Sequence, residues 1–159
     1  MGEGGLIALR LVRLIENHSE ELADGLMRKL RTSRRTSDMQ KVPVEELRDR
    51  TYEILQHLSE WLLSKTETDI ELRYLELGAR RAAQGVSLAD FSWSIVLTKE
   101  HLWDFLQRQG FLRSPVELYG EMELLRLLDQ FFDHALCYAA EGYEQQARRE
   151  RPAEARAGG

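Results

Sequence analysis

The side chains best suited to chemistry in this sequence are four histidines, His18, His57, His101 and His134, one cysteine, Cys137, and the arginines around Arg81. A dinuclear metal site inside a helical bundle is built from Glu-x-x-His pairs, since residues three apart share a helix face and converge on one ion. Ile15, Ile54, Thr98 and Phe131 stand three positions before the four histidines, so that pairing is absent, as is any His-Glu-x-x-His run. Glu53 and His57 lie one turn apart and are expected to pair at the surface. Cys137 falls within a helical pattern between Leu136 and Tyr138, whereas reactive thiolates sit at helix N-termini or beside fixed cations, so a buried structural thiol is expected. No set of residues assembles a nucleophile, a base and an orienting group, and the expectation is a non-enzyme with no metal or cofactor.

A single histidine is enough to hold haem in an all-helical pocket. His101 and His134 lie among aromatic residues, which makes a haem- or small-ligand-binding sensor the alternative to plain packing of the two rings. The densest basic run, MRKLRTSRR at 27–35, falls where a helix should end, and cations there are accounted for by the helix dipole. A second alternative is DNA binding through 78–106, because AAQGVSLADFSWSI superficially matches a helix-turn-helix. Base readout needs polar and basic groups on the second helix, and this one carries Phe91, Trp93, Ile95, Val96 and Leu97. That composition belongs in a core.

The elements that must position these groups are helices. Apolar residues at helical spacing, among them Leu11, Ile15, Leu22, Leu26 and Leu30, predict a first helix over 6–30, followed by a polar loop at 32–41. Pro43 suits the start of a second helix, with Leu47, Ile54, Leu58 and Trp61 inward, ending near Lys65. Thr66 and Asp69 can cap a third, which carries Ile70, Tyr74, Leu77 and Arg81 on one stripe. Gly78, Ala79 and Ala82 beside that stripe would let another helix approach closely. Gly85 is suited to the left-handed residue that ends this helix, and Ser87 with Asp90 opens the fourth as an N-cap and a weak capping box. The fourth helix is expected to stop at Gly110, and Ser114, Pro115 and Glu117 to start the fifth.

The fifth helix should bury Leu118, Met122, Leu125, Leu128, Phe132, Ala135, Ala139 and Tyr143 and continue to about Arg149. At about 1.5 Å per residue it is roughly 50 Å long, more than a small domain is wide. A second, largely apolar arc holds Leu124, Leu127, Phe131, His134 and Tyr138, and a helix apolar over so much of its circumference is either central or shared. A homodimer through Leu124, Leu127, Phe131 and Tyr138 is the expectation. Any ligand pocket should lie between the third, fourth and fifth helices, near Arg81, Trp93, His101 and His134, with Arg81 the sharpest choice.

The chain has 159 residues, 43% hydrophobic and 31% charged, a balance that supports one folded domain, 1–149, with an Ala-, Gly- and Arg-rich tail at 150–159 expected to be a disordered linker. A net charge of -5 argues against general adhesion to nucleic acid or anionic membrane. One cysteine excludes an internal disulfide and suits a reducing compartment. Arg10 and Arg13 interrupt the apolar N-terminal stretch, so neither a signal peptide nor a membrane span is expected, and the protein reads as soluble and cytoplasmic.

Gly78, Arg81, Gln84, Gly85, Ser87 and Leu88, with Asp90 in place of a glutamate, follow the order G-x-x-R-x-x-Q-G leading into S-L-x-E. In this the chain resembles the N-terminal domain of the RsbT co-antagonist proteins of the bacterial stressosome, and the order of helices fits over most of 6–144. It departs from the family in having VLTKEHLWDFL where members commonly carry a leucine-arginine pair. The residue pattern is read as a single all-α domain of five main helices, globin-like or bundle-like, and the resemblance implies an all-helical, globin-like domain that lacks haem and dimerises. It further implies a signal passed along the C-terminal helix to a STAS, kinase or transcription-factor partner or output domain.

Overall fold

The structure, a computed structural model, describes residues 3–109 and 115–157. Within them every regular element is helical: α1 (Glu3–Asn17), α2 (Ser19–Thr32), α3 (Val44–Gln56), α4 (Glu67–Ala83), α5 (Leu88–Arg108) and α6 (Pro115–Ala157), with a 3-10 segment at Arg34–Lys41 and a π turn at Glu60–Ser64. The count of five main helices is therefore revised to six. The predicted first helix is divided at His18, whose backbone leaves helical geometry, whose Nδ1 bonds the Leu14 carbonyl at 2.9 Å and whose ring packs 5.3 Å from Phe105. A one-residue break leaves the apolar spacing on both sides intact, so periodicity alone does not reveal it.

Two further differences have the same local character. The stretch expected to be a loop at 32–41 forms the 3-10 segment, because the fully buried Thr36 donates its hydroxyl to the Leu30 carbonyl at 2.7 Å and Met39 is buried beside it. The predicted second helix ends at Gln56, and the chain widens into the π turn that buries Trp61. Thr66 then caps α4 with a complete reciprocal box to Asp69. Ser87 caps α5 by accepting from the Asp90 amide, but the box stays open. The Ser87 amide donates to Asp38, and Asp90 accepts from the Asp38 amide and Ser37, so these residues staple the 3-10 segment to the start of α5. The expected stop at Gly110 and the expected cap at Ser114 lie outside the described residues.

α6 runs to Ala157, past the Arg149 limit read from the sequence. Its buried stripe is Leu124, Leu128, Phe131, Phe132, Ala135 and Ala139, and between Glu144 and Arg151 no residue is buried. Met122, expected inward, is 55% exposed. The small residues of α4 do what their spacing suggested: a Cβ on Gly78 would collide with the Ala139 carbonyl, and a Cβ on Gly142 with the Leu75 backbone. The two helices thus meet backbone to backbone, beside an aromatic cluster of Trp61, Tyr74, Phe131 and Phe132 with centroid separations of 5.2 to 6.4 Å.

Candidate functional site

The turn between α4 and α5 is built by Gly85, whose φ of 78° is the left-handed geometry that a side chain would strain. Its amide donates to Ala82 and that of Val86 to Arg81, satisfying the last carbonyls of α4. The Tyr143 hydroxyl donates to the Val86 carbonyl at 2.6 Å and Lys41 to the Gly85 carbonyl at 3.0 Å, which ties the turn to α6 and to the 3-10 segment.

This anchored turn holds Arg81 only 2% exposed. Its Nη1 donates to Gln84 at 2.7 Å and to Glu46 of α3 at 3.2 Å, while its Nε has no partner. Gln84 donates to the other oxygen of Glu46, Arg80 donates to Glu46 as well, and Arg50 lies 3.7 Å from the same carboxylate. Three guanidinium groups thus share one carboxylate. The hydrogen bond from Arg80, with those from Gln84 and Arg81, overcomes the desolvation of Glu46 and holds its carboxyl at about 2. Desolvation dominates at Arg81 and pushes its pKa down, partly offset by the Glu46 hydrogen bond. A buried pair of this kind owes its stability to complete hydrogen bonding more than to attraction, and here the bonding is one donor short.

A cavity of about 70 Å³ lies against the cluster. Its apolar wall includes Leu26, Leu30, Ile95 and Phe132, and its polar lining includes Arg50, Tyr74 and Arg81. The hydroxyls of Thr51, Ser94 and Thr98, also in the lining, are spent on backbone carbonyls of their own helices. Neutral donors and cations facing an apolar space can bind an anion.

The four residues singled out from the sequence are not brought together. Arg81 lines the cavity; the other three do not. Trp93 is half-buried on α5 with the Arg35 guanidinium stacked 4.0 Å over its ring. His101 is buried between α5 and α2, its Nε2 bonding the Leu22 carbonyl at 2.9 Å, with Gly25 leaving just enough room for the ring. His134 pairs with Glu67 at 2.8 Å, and Tyr138 donates to the other oxygen of the same carboxylate. The pocket also has walls from α2 and α3, beyond the three helices expected.

The arc of α6 read as an interface is largely occupied within the chain. Leu124 and Phe131 are in the core, Tyr138 and His134 hold Glu67 of α4, and Leu127 remains part-exposed beside Trp61 and Ile70. Cys137, expected buried, is exposed, because it sits on the side of α6 opposite Ala135 and Ala139. His57 approaches Glu60 at 3.5 Å, whereas Glu53, its expected partner, binds Arg73 at 3.0 Å. Glu46 and Arg50 are the site residues that sequence reasoning missed. Their one signal is an i, i+4 acid-base pair, too common on helix surfaces to mark a buried cluster.

Among the described residues no group of three or more His, Cys, Asp or Glu side chains is placed to hold a metal ion, and no helix is long and apolar enough to cross a membrane. α5 buries Phe91, Ser94, Ile95, His101 and Leu102, so the helix that would read DNA is committed to the core. No curated protein and no solved structure matches the chain. The family model described as the RsbT co-antagonist protein RsbRD N-terminal domain matches residues 20–157, a span that takes in α2 to α6 and the whole arginine cluster. The chain belongs to the RsbRD N-terminal domain family, a family of stressosome-type signalling modules.

Proposed function

We propose that this domain is a non-catalytic sensory or regulatory module that dimerises and relays a signal to a downstream signalling protein or output domain through α6. The observation that carries this reading is the direct backbone contact of α4 with α6 at Gly78 and Gly142, one turn from Arg81. A displacement of α4 at the cavity has no compressible side-chain layer in which to be absorbed before it reaches α6. α6 is 43 residues and about 65 Å long, and its stretch from Glu144 to Arg151 buries no residue and is open to a partner.

Dimerisation is assigned to the outward part of α6, where Tyr119 is 67% and Met122 55% exposed and Leu127 is part-exposed. Native mass spectrometry of purified protein at low micromolar concentration is expected to give a dimer, and the double variant Met122→Glu, Leu127→Glu a folded monomer. A monomeric wild type, or a variant that stays dimeric with unchanged circular dichroism, would defeat the assignment.

A further inference from the structure

The cavity beside Arg81 has more hydrogen-bond donors than the protein uses. Tyr74 is 3% exposed and lines it, and among the described residues its hydroxyl bonds to no protein group. Burial keeps that phenol neutral, and so a donor, at any ordinary pH. Arg50 lines the cavity from α3, and its fork makes no protein hydrogen bond among the described residues; its ion pair with Glu46 is a long one at 3.7 Å. The Arg81 Nε is the third unpartnered donor. Against these stand two side-chain acceptors, both in use: the Glu46 carboxylate, shared by Arg80, Arg81 and Gln84, and the Gln84 amide oxygen, taken by Arg81. The deficit is therefore of negative charge and of acceptor oxygens.

Apart from the Thr51, Ser94 and Thr98 hydroxyls, which are spent on backbone carbonyls, the remaining wall is apolar, which gives an inorganic anion little in return for its lost hydration but suits an alkyl tail. Size sets the length of that tail. A cavity of about 150 Å³ takes benzene, with its six heavy atoms, so about 70 Å³ suits roughly three or four. We propose that this cavity binds a two-carbon, acetate-sized carboxylate, its carboxylate on Arg50 and the Tyr74 hydroxyl and its methyl group against Leu26, Leu30 and Phe132. This rests on the reading of the domain as a signalling input, for which it supplies the chemical class of the signal. Bound there, the carboxylate draws α3 and α4 together across the cavity, on the helix that is locked to α6.

Carbon-13-labelled acetate, followed by NMR line broadening at constant ionic strength, tests the site. Saturable binding to the wild type is expected, weakened about tenfold or more in Arg50→Gln and in Tyr74→Phe alike, as removal of one hydrogen bond to a charged group implies. Neither substitution removes a short intramolecular hydrogen bond, so both variants are expected to fold, with circular dichroism as the check. Absence of saturable binding, equal displacement by chloride, or unchanged affinity in both variants would overturn the proposal. Any of these with the dimer intact by native mass spectrometry sinks the ligand alone; loss of the dimer in the wild type sinks the signalling reading.

Discussion

The two flanks of α4 are held by opposite means. At Gly78 the helix meets α6 with no side chain between the backbones, so closely that a Cβ would collide with the Ala139 carbonyl. At Arg81, less than a turn away, it meets α3 through a buried guanidinium with an unpartnered nitrogen, beside a cavity. The first contact has one geometry, because backbone cannot rotate out of the way. The second has slack, because long side chains can exchange one acceptor for another. In the proposed relay, this pairing of a fixed flank with an adjustable one is what carries a change at the cavity to α6.

The strongest way to break this contrast is to fill the backbone-to-backbone side. Gly78→Ala places a methyl group on the Ala139 carbonyl, and neither helix can yield without the other. We expect a loss of more than about 3 kcal/mol in urea unfolding, beyond the usual cost of overpacking because the obstacle is backbone. A loss below about 1 kcal/mol would show that α4 and α6 can separate, and the relay would lose its rigid link.

On the polar side the key residue is Glu46. Glu46→Gln leaves Arg81 buried without its counter-ion, which should cost about 3 kcal/mol, whereas Glu46→Leu combined with Arg81→Met should recover most of it. The pH dependence gives an independent check with a definite sign. The folded-state carboxyl sits at about 2, below the ordinary glutamate value of 4.5, so its contribution is full above about 4.5 and is lost as pH falls toward 2. That contribution is on the order of 3 kcal/mol. Chemical denaturation across pH 2 to 6 should therefore show the wild type and Glu46→Gln converging at the acid end; parallel curves would mean that Glu46 is not ionically engaged.

The same contrast explains what was legible in the sequence. Helix ends written in single residues were readable: Thr66, Gly85 and Ser87 each do the local job that their type suggests. Gly78 was readable too, because small residues at helical spacing announce a close approach without specifying the partner. The orientation of α6 was not, since two of its arcs are apolar and only the position of α4 decides which is covered. Hence Met122 faces out and Leu124 and Phe131 face in. The site was half legible. Arg81 stood out as a charge on an apolar stripe, but its acceptor Glu46 is 35 positions away and is one of 27 acidic residues, and nothing local distinguishes it. His101 and His134 drew notice for their chemistry and turn out to be tied to the Leu22 carbonyl and Glu67.

The smallest expected effect lies at the far end of the same helix and isolates propensity from packing. Thr66 and Asp69 form their reciprocal cap in an exposed position, with three hydrogen bonds between them and no contact with the arginine cluster. Thr66→Ala removes the hydroxyl that accepts from the Asp69 amide, and should cost about 1 kcal/mol, or about 2–4 °C in Tm for a chain of this size. Because the cap borders neither the Gly78 crossing nor the cavity, this loss should add to that of Glu46→Gln without interaction. A double variant whose destabilisation departs from the sum by more than about 0.5 kcal/mol would show that α4 responds as one rigid rod from end to end. The slack assigned to its Arg81 side would then belong to the whole helix.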